Sequence, residues 1–161
     1  MNNKVIYKAI GIIHSPFKTI EGVPIQPAAA NGILGEVKVN NEYSGGLKSL
    51  EEFSHLILLY HFHFSNGYNL NVIPFMDSTE HGVFATRAPN RPNPIGISVV
   101  KIKSIKENTI VVENIDVIDG TPLLDIKPYI SSFDNVLEEK NGWYSKSKND
   151  VHSMRADSRF K

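Results

Sequence analysis

From Ser54 to Phe64 the chain reads SHLILLYHFHF, and its side chains alternate with a period of two. Leu56, Leu58, Tyr60, Phe62 and Phe64 fall on one face. His55, Ile57, Leu59, His61 and His63 fall on the other. An eleven-residue run with that period is the clearest strand in the chain. Shorter strand signals surround it at Val5 to Ile13, Ile33 to Val39, Gly82 to Thr86, Ile95 to Ile105 and Thr109 to Val117. In the fourth of these, apolar Ile95, Ile97 and Val99 give way to Val100 and Ile102; Thr109 to Val117 slips similarly. A one-residue slip of phase predicts a bulge, and bulges bend strands in closed sheets. Helical signals are short: Gly45 to Phe53, and Phe133 to Lys140 before Asn141-Gly142. The expectation is an all-β chain, a barrel or sandwich with short peripheral helices.

Composition narrows the function classes. The 161 residues are 41% hydrophobic and 21% charged, enough for one globular domain with a core. Seventeen Lys+Arg balance seventeen Asp+Glu, so bulk charge does not drive nucleic-acid binding. Only a local patch would, and residues 140–161 hold six cations against two acids. There is no cysteine, which removes disulfides, thiolate metal sites and a cysteine nucleophile. No apolar run reaches the roughly 18 residues of a membrane span, and the first residues lack the apolar core of a secretion signal. A cytoplasmic location is the expectation.

The stretch most suggestive of chemistry is GVFATRAPNRPNPIGIS, residues 82–98. Pro89, Pro92 and Pro94 fix their own φ and push their predecessors toward extended backbone. Arg87, Asn90, Arg91 and Asn93 are interleaved with them, so guanidinium and amide groups sit on a stiff loop suited to a carboxylate or phosphate. His61 and His63 have a spacing that allows a shared metal, with a third ligand from His81, Glu80 or Asp77. Asp125 stands between Leu124 and Ile126, so it is either paired, with Arg87 or Lys127, or facing a pocket. No G-x-G-x-x-G follows a strand, and no P-loop, H-E-x-x-H or G-x-S-x-G is present, which speaks against Rossmann dinucleotide and serine-hydrolase sites.

Taken in order, IGIIHSPF (10–17), VPIQP (23–27), LEEFSHLILLYHFH (50–63), GVFATRAPNRPNPIGIS (82–98) and DVIDGTPLLDIKPY (116–129) resemble the TrmO (YaeB-like) family of S-adenosylmethionine-dependent methyltransferases. The resemblance covers residues 5–130. It implies a single-sheet, non-Rossmann β-barrel over 1–130 with an extension and basic tail over 131–161. It implies a homodimer with S-adenosylmethionine near the interface, and methyl transfer to N6 of threonylcarbamoyladenosine at position 37 of tRNA, beside the anticodon. Family donor-binding positions fall on Ile25, Gln26, Pro27, Phe62, His63, Arg87, Ile97, Leu123, Leu124, Asp125 and Ile126; the family often has Arg where this chain has Ile25.

The residue chemistry suits such a donor. Arg87 would take its carboxylate, Asp125 its ammonium or ribose hydroxyls, and Phe62, Ile97 and Leu124 its adenine. Histidine is the side chain matched to removing the acceptor proton near neutral pH, which points to His63 ahead of His55 or His61. The anticodon-loop partner would meet Arg91, Lys146, Lys148, Arg155 and Arg159, with Phe133, Trp143 and Tyr144 as stacking or core groups. Neither a resident metal, a DNA partner nor a membrane is expected. The alternatives are a small-molecule acceptor, or a metal-dependent barrel using His55, His61 and His63.

Overall fold

The computed structural model describes residues 4–147 and 150–160. Eight strands form: β1 (Gly11–His14), β2 (Leu34–Val39), β3 (His55–His61), β4 (Asn71–Val72), β5 (His81–Gly82), β6 (Ile95–Lys106), β7 (Thr109–Glu113) and β8 (Thr121–Pro128). Six close into one barrel in the order β1-β2-β7-β6-β3-β8, and every neighbouring pair is antiparallel. Closure leaves no free edge for stray pairing. Strands β4 and β5 make a separate two-stranded ribbon. The chain is therefore an all-β, single-sheet barrel with short peripheral helices, as its pattern predicts.

Side-chain alternation sets the interior. Leu56 and Leu58 on β3 are fully buried, and they meet Ile13, Val37, Val100 and Val112 from the other strands. Each such side chain contributes about 1.5–3 kcal/mol by leaving water. Strand β6 departs from the expected slip. Its inward positions stay in phase from Gly96 through Ser98 and Val100 to Ile102, and the apolar Ile95, Ile97 and Val99 face outward. What changes at Val99-Val100 is which face is apolar, not the register. A bulge does exist, but lower down, between Ile102 and Ser104 against β7. A second irregularity lies between Leu59 and Tyr60 against β8.

Gly96 has a specific task. A Cβ there would overlap the Tyr60 ring, which lies across the inner face of β6. This glycine lets the ring approach the backbone and places its hydroxyl 3.0 Å from Ser98 Oγ.

Several other expectations shift. The first strand is Gly11–His14, and Val5, Ile6 and Tyr7 are exposed. The stretch from Gly82 to Thr86 is mostly a 3-10 turn, Val83–Ala85, because the proline loop follows at once. Gly45 to Phe53 forms two 3-10 segments, Asn41–Leu47 and Leu50–Glu52. The run Phe133 to Lys140 yields only the single turn α1 (Ser131–Asp134); Phe133 and Leu137 are exposed, so no apolar face anchors more. Strand β8, unrecognised among turn residues, closes the barrel between β1 and β3.

Residues after Tyr129 return to the barrel end. Ala156 exchanges backbone hydrogen bonds with Gly22 and Val23, and Arg155 bridges Pro24. Phe160 is buried with Val72, Val83 and Ala88 in a second small core, edge-on to Phe75 at 5.1 Å. Among the described residues no helix is long and apolar enough to cross a membrane.

Candidate functional site

One cavity of about 760 Å³ opens at the barrel end where β3 and β6, the proline loop and the returning tail meet. That size suits a small-molecule site, for which roughly 300–1,000 Å³ is usual. Its floor comes from inside the barrel: Tyr60, Gly96, Asp116 and Thr121. Its walls include Ile25, Gln26, Phe62, Arg87 and Ile97, with Trp143, Tyr144, Val151 and Phe160 from the tail.

The proline loop is built as a bracket. Asn90 is buried, and its side chain accepts from Ser65 Oγ at 2.9 Å. Arg91 lies half-buried, donating to the carbonyls of Thr86 (3.2 Å) and Ala88 (3.4 Å), so its guanidinium stiffens the loop. Arg87 is exposed on the cavity wall and donates to Gln26 Oε1 at 2.7 Å. Among the described residues no carboxylate forms an ion pair with it. A guanidinium oriented by one amide, with its other donors open to a cavity, is ready for an anion.

His63 lies beyond the end of β3, in a turn. It therefore leaves the face of His61 that strict alternation assigns to it. Its Nδ1 lies 3.2 Å from Thr121 Oγ1. The single Thr121 hydroxyl proton is donated to Ile118 O at 2.7 Å. Thr121 must then accept from His63, which puts the ring proton on Nδ1 and leaves the Nε2 lone pair free. Burial, assisted by neighbouring His61, lowers the His63 pKa, so the ring is neutral at pH 7.

A carboxyl that sequence reasoning missed lies on the floor. Asp116 Oδ1 accepts from Ser98 Oγ at 2.5 Å, and Ser98 also meets the Tyr60 hydroxyl. Burial pushes Asp116 up to about 7, against the opposing pull of Ser98 and the Arg87 charge. Burial and the Asp116 charge likewise hold the Tyr60 hydroxyl protonated far above its usual range. The one available signal was a carboxylate between apolar Ile115 and Val117, a cue read instead at Asp125.

The remaining sequence-predicted positions are distributed as follows. Ile25, Gln26, Phe62, His63, Arg87 and Ile97 converge on the cavity. Pro27, Leu123, Leu124, Asp125 and Ile126 do not line it. Leu123 is fully buried inside the barrel and Ile126 packs partly on that core. Asp125 pairs with Lys127 at 2.8 Å and sits across from Leu59 on the outer surface of β8. Of the basic residues, Lys146 is exposed at the end of the turn Gly142–Lys146, and Lys148 lies outside the described residues. Arg155 donates to the carbonyls of His152 and Met154. Arg159 is held by Asp157 (2.7 Å), by Pro74 O (2.9 Å) and over the Phe75 ring, so it fastens the tail. Trp143 stacks on His81 at 4.8 Å and donates to Ala85 O at 2.8 Å. Tyr144 is exposed at the cavity rim. Among the described residues no three His, Cys, Asp or Glu side chains group as metal ligands, and His81 is instead paired with Asp77 at 2.8 Å. The His55–His61–His63 constellation does not assemble.

A closed antiparallel barrel with a charged and partly apolar cavity at one end defines a small-molecule-binding barrel outside the Rossmann class. Residues 12–135 match the model of the tRNA-methyltransferase O N-terminal domain, and the chain belongs to that family. It is 53% identical over 97% of its length to a probable S-adenosyl-L-methionine-binding protein of Pyrococcus abyssi, covering 85% of that protein. It is 37% identical to the tRNA (adenine(37)-N6)-methyltransferase of Escherichia coli over 88% of this chain, spanning 64% of that enzyme. The crystal structure of TrmO from Pseudomonas aeruginosa superposes with a TM-score of 0.73 at 35% identity, over 87% of this chain and 62% of that one.

Proposed function

We propose that this protein is an S-adenosylmethionine-dependent methyltransferase that modifies N6 of threonylcarbamoyladenosine at position 37 of tRNA. The observation that carries the reading is the convergence of Arg87, Phe62, Ile97 and His63 on one cavity in a chain of this family. The donor has an adenine, a sulfonium and a zwitterionic amino-acid end. The cavity offers an unpaired guanidinium, a carboxyl on its floor and apolar walls, so the residues present fit it.

S-adenosylmethionine, when bound, supplies a methyl for in-line displacement: the N6–CH3 bond forms as the S–CH3 bond breaks. The protein's own part is orientation and the handling of one proton. Arg87, fixed by Gln26, holds the donor carboxylate. Phe62 and Ile97 flank the adenine. His63 takes the N6 proton at Nε2, the nitrogen left free by Thr121.

For assembly we favour a homodimer through the outer face of β3, β6 and β8. There Ile95, Ile97 and Val99 are 40%, 44% and 36% exposed, in register with His61, Leu59 and Ile57. Asp125 lies on the same face beside Leu59, which would bring it and neighbouring Leu124 to the interface. Residues 1–130 form the donor-binding barrel, and the 131–161 extension walls the cavity and carries Lys146 and Arg155 toward the anticodon loop. The cytoplasm, where tRNA is modified, is the compartment this reading requires.

The test is mass spectrometry of tRNA nucleosides from cells with and without the gene, paired with methylation assays on threonylcarbamoylated and unmodified transcripts. Loss of the N6-methylated nucleoside on deletion supports the reading. An unchanged nucleoside profile, with donor binding intact, turns it toward a small-molecule acceptor.

A further inference from the structure

We infer that Asp116, together with Arg87, forms a two-point clamp for a zwitterionic α-amino acid end, in which Asp116 takes the ammonium and Arg87 the carboxylate. This rests on the donor reading above and names the group that completes it. The sequence points to Asp125 for the ammonium or ribose hydroxyls, but Asp125 does not line the cavity and is paired with Lys127.

Three geometric facts place Asp116 in the role. It lines the same cavity as Arg87. Its Oδ1 is fixed by the Ser98 hydroxyl, at the end of a chain that begins at Tyr60. Besides Ser98, only its own backbone N–H hydrogen-bonds to the carboxylate, and among the described residues no other side chain holds it. Arg87 and Asp116 attract each other but form no ion pair. Opposite charges on one cavity wall that do not collapse onto each other match a ligand carrying both charges on one carbon.

The titratable or charged groups facing Asp116 are Tyr60 from β3 and Arg87 from the proline loop; His63 and Arg91 share the cavity wall. With its carboxyl near 7, Asp116 is partly protonated in the free protein at neutral pH. An ammonium ligand then ionises it, and about half a proton is released per ligand bound at pH 7. Affinity should be about fivefold weaker at pH 6 than at pH 7.

The experiment is calorimetric titration of the full chain at pH 6, 7 and 8, in buffers of differing ionisation enthalpy. Three ligands are compared: S-adenosylmethionine, S-adenosylhomocysteine and 5′-methylthioadenosine. The first two carry the amino-acid end, and the third lacks it. The clamp predicts proton release with the first two and none with the third. D116N should weaken the first two at least tenfold, abolish their proton release and leave 5′-methylthioadenosine binding unchanged, which also reports that the variant is folded. Proton release with S-adenosylmethionine alone would assign Asp116 to the sulfonium and overturn the clamp. Equal binding of all ligands by wild type and D116N overturns it while leaving the donor reading intact. Failure of the wild type to bind S-adenosylmethionine at all overturns both.

Discussion

Replacing Asp116 by Asn should stabilise the ligand-free protein, and by an amount that depends on pH. In the folded chain the carboxyl titrates near 7 rather than at its ordinary 3.8, because burial disfavours the charged form. A rise of that size corresponds to about 4 kcal/mol, at 1.36 kcal/mol per pH unit. The sign follows from proton counting. Between about pH 4 and pH 7 the folded state binds more protons at this site than the unfolded chain, so stability falls as pH rises through that window. The penalty is about 2 kcal/mol at pH 5 and is fully developed, at about 4 kcal/mol, by pH 8. Asparagine removes the ionisation and keeps an oxygen that can accept from Ser98, at a loss of about 1 kcal/mol in hydrogen-bond strength. The net gain is about 3 kcal/mol at pH 8 and about 1 kcal/mol at pH 5. For a chain of this size each kcal/mol moves Tm by roughly 2–4 °C. Thermal melts should therefore show D116N above wild type by about 6–12 °C at pH 8 and by no more than about 4 °C at pH 5. Equal shifts at both pH values, or a loss at pH 8, would refute the claim that the barrel floor holds an uncomfortable charge. A variant that is more stable and binds its donor less well is what a strained binding group predicts.

Other expectations can be checked alongside. H63A should lower methyl transfer at saturating donor by about 10²–10⁴-fold, the usual range for a general base, well beyond any loss of calorimetric donor affinity. Because the His63 pKa is lowered, the acid limb of the wild-type rate profile at saturating donor should fall below the 6.5 of an ordinary histidine and vanish in H63A. G96A forces a methyl into the Tyr60 ring, so it should destabilise by about 1–3 kcal/mol in denaturant melts. V99D places a charge on the apolar outer face away from the cavity lining and, if that face is the proposed dimer contact, should shift sedimentation toward monomer relative to wild type. The double substitution K146A/R155A should weaken RNA binding and reduce the slope of affinity against salt by about two.

Much of the barrel is readable along the chain, and the reasons for the exceptions are physical. The central strand announces itself because Leu56, Leu58 and Tyr60 each face a closed interior while Ile57 and Leu59 face a half-covered exterior. On β6 the same logic misleads. Gly96 and Ser98 point inward where a core residue is expected, because the Tyr60 ring and the Asp116 carboxyl already fill that space. The loop bearing Arg87 is legible because proline and arginine declare stiffness and charge without tertiary help. Asp116 is not, since only the folded barrel distinguishes it from Asp125: both are acids between apolar neighbours, and their burial and partners separate them. Strict alternation assigns His63 to the face of His61, whereas β3 stops at His61 and a turn swings the ring to Thr121.

Strand β6 leaves a final consequence. Its upper half lends little to the hydrophobic interior: Gly96 makes room for the Tyr60 ring, and the apolar Ile95, Ile97 and Val99 stand partly exposed, the first two lining the cavity. That segment is underwritten from without. A ligand or partner seated on Ile95, Ile97 and Val99 also braces the backbone beneath Tyr60 and Ser98, so the pocket and the proposed subunit contact share one ribbon only a residue thick. Substitutions chosen to loosen one should be felt in the other, with no signal needing to travel further than across a single peptide chain.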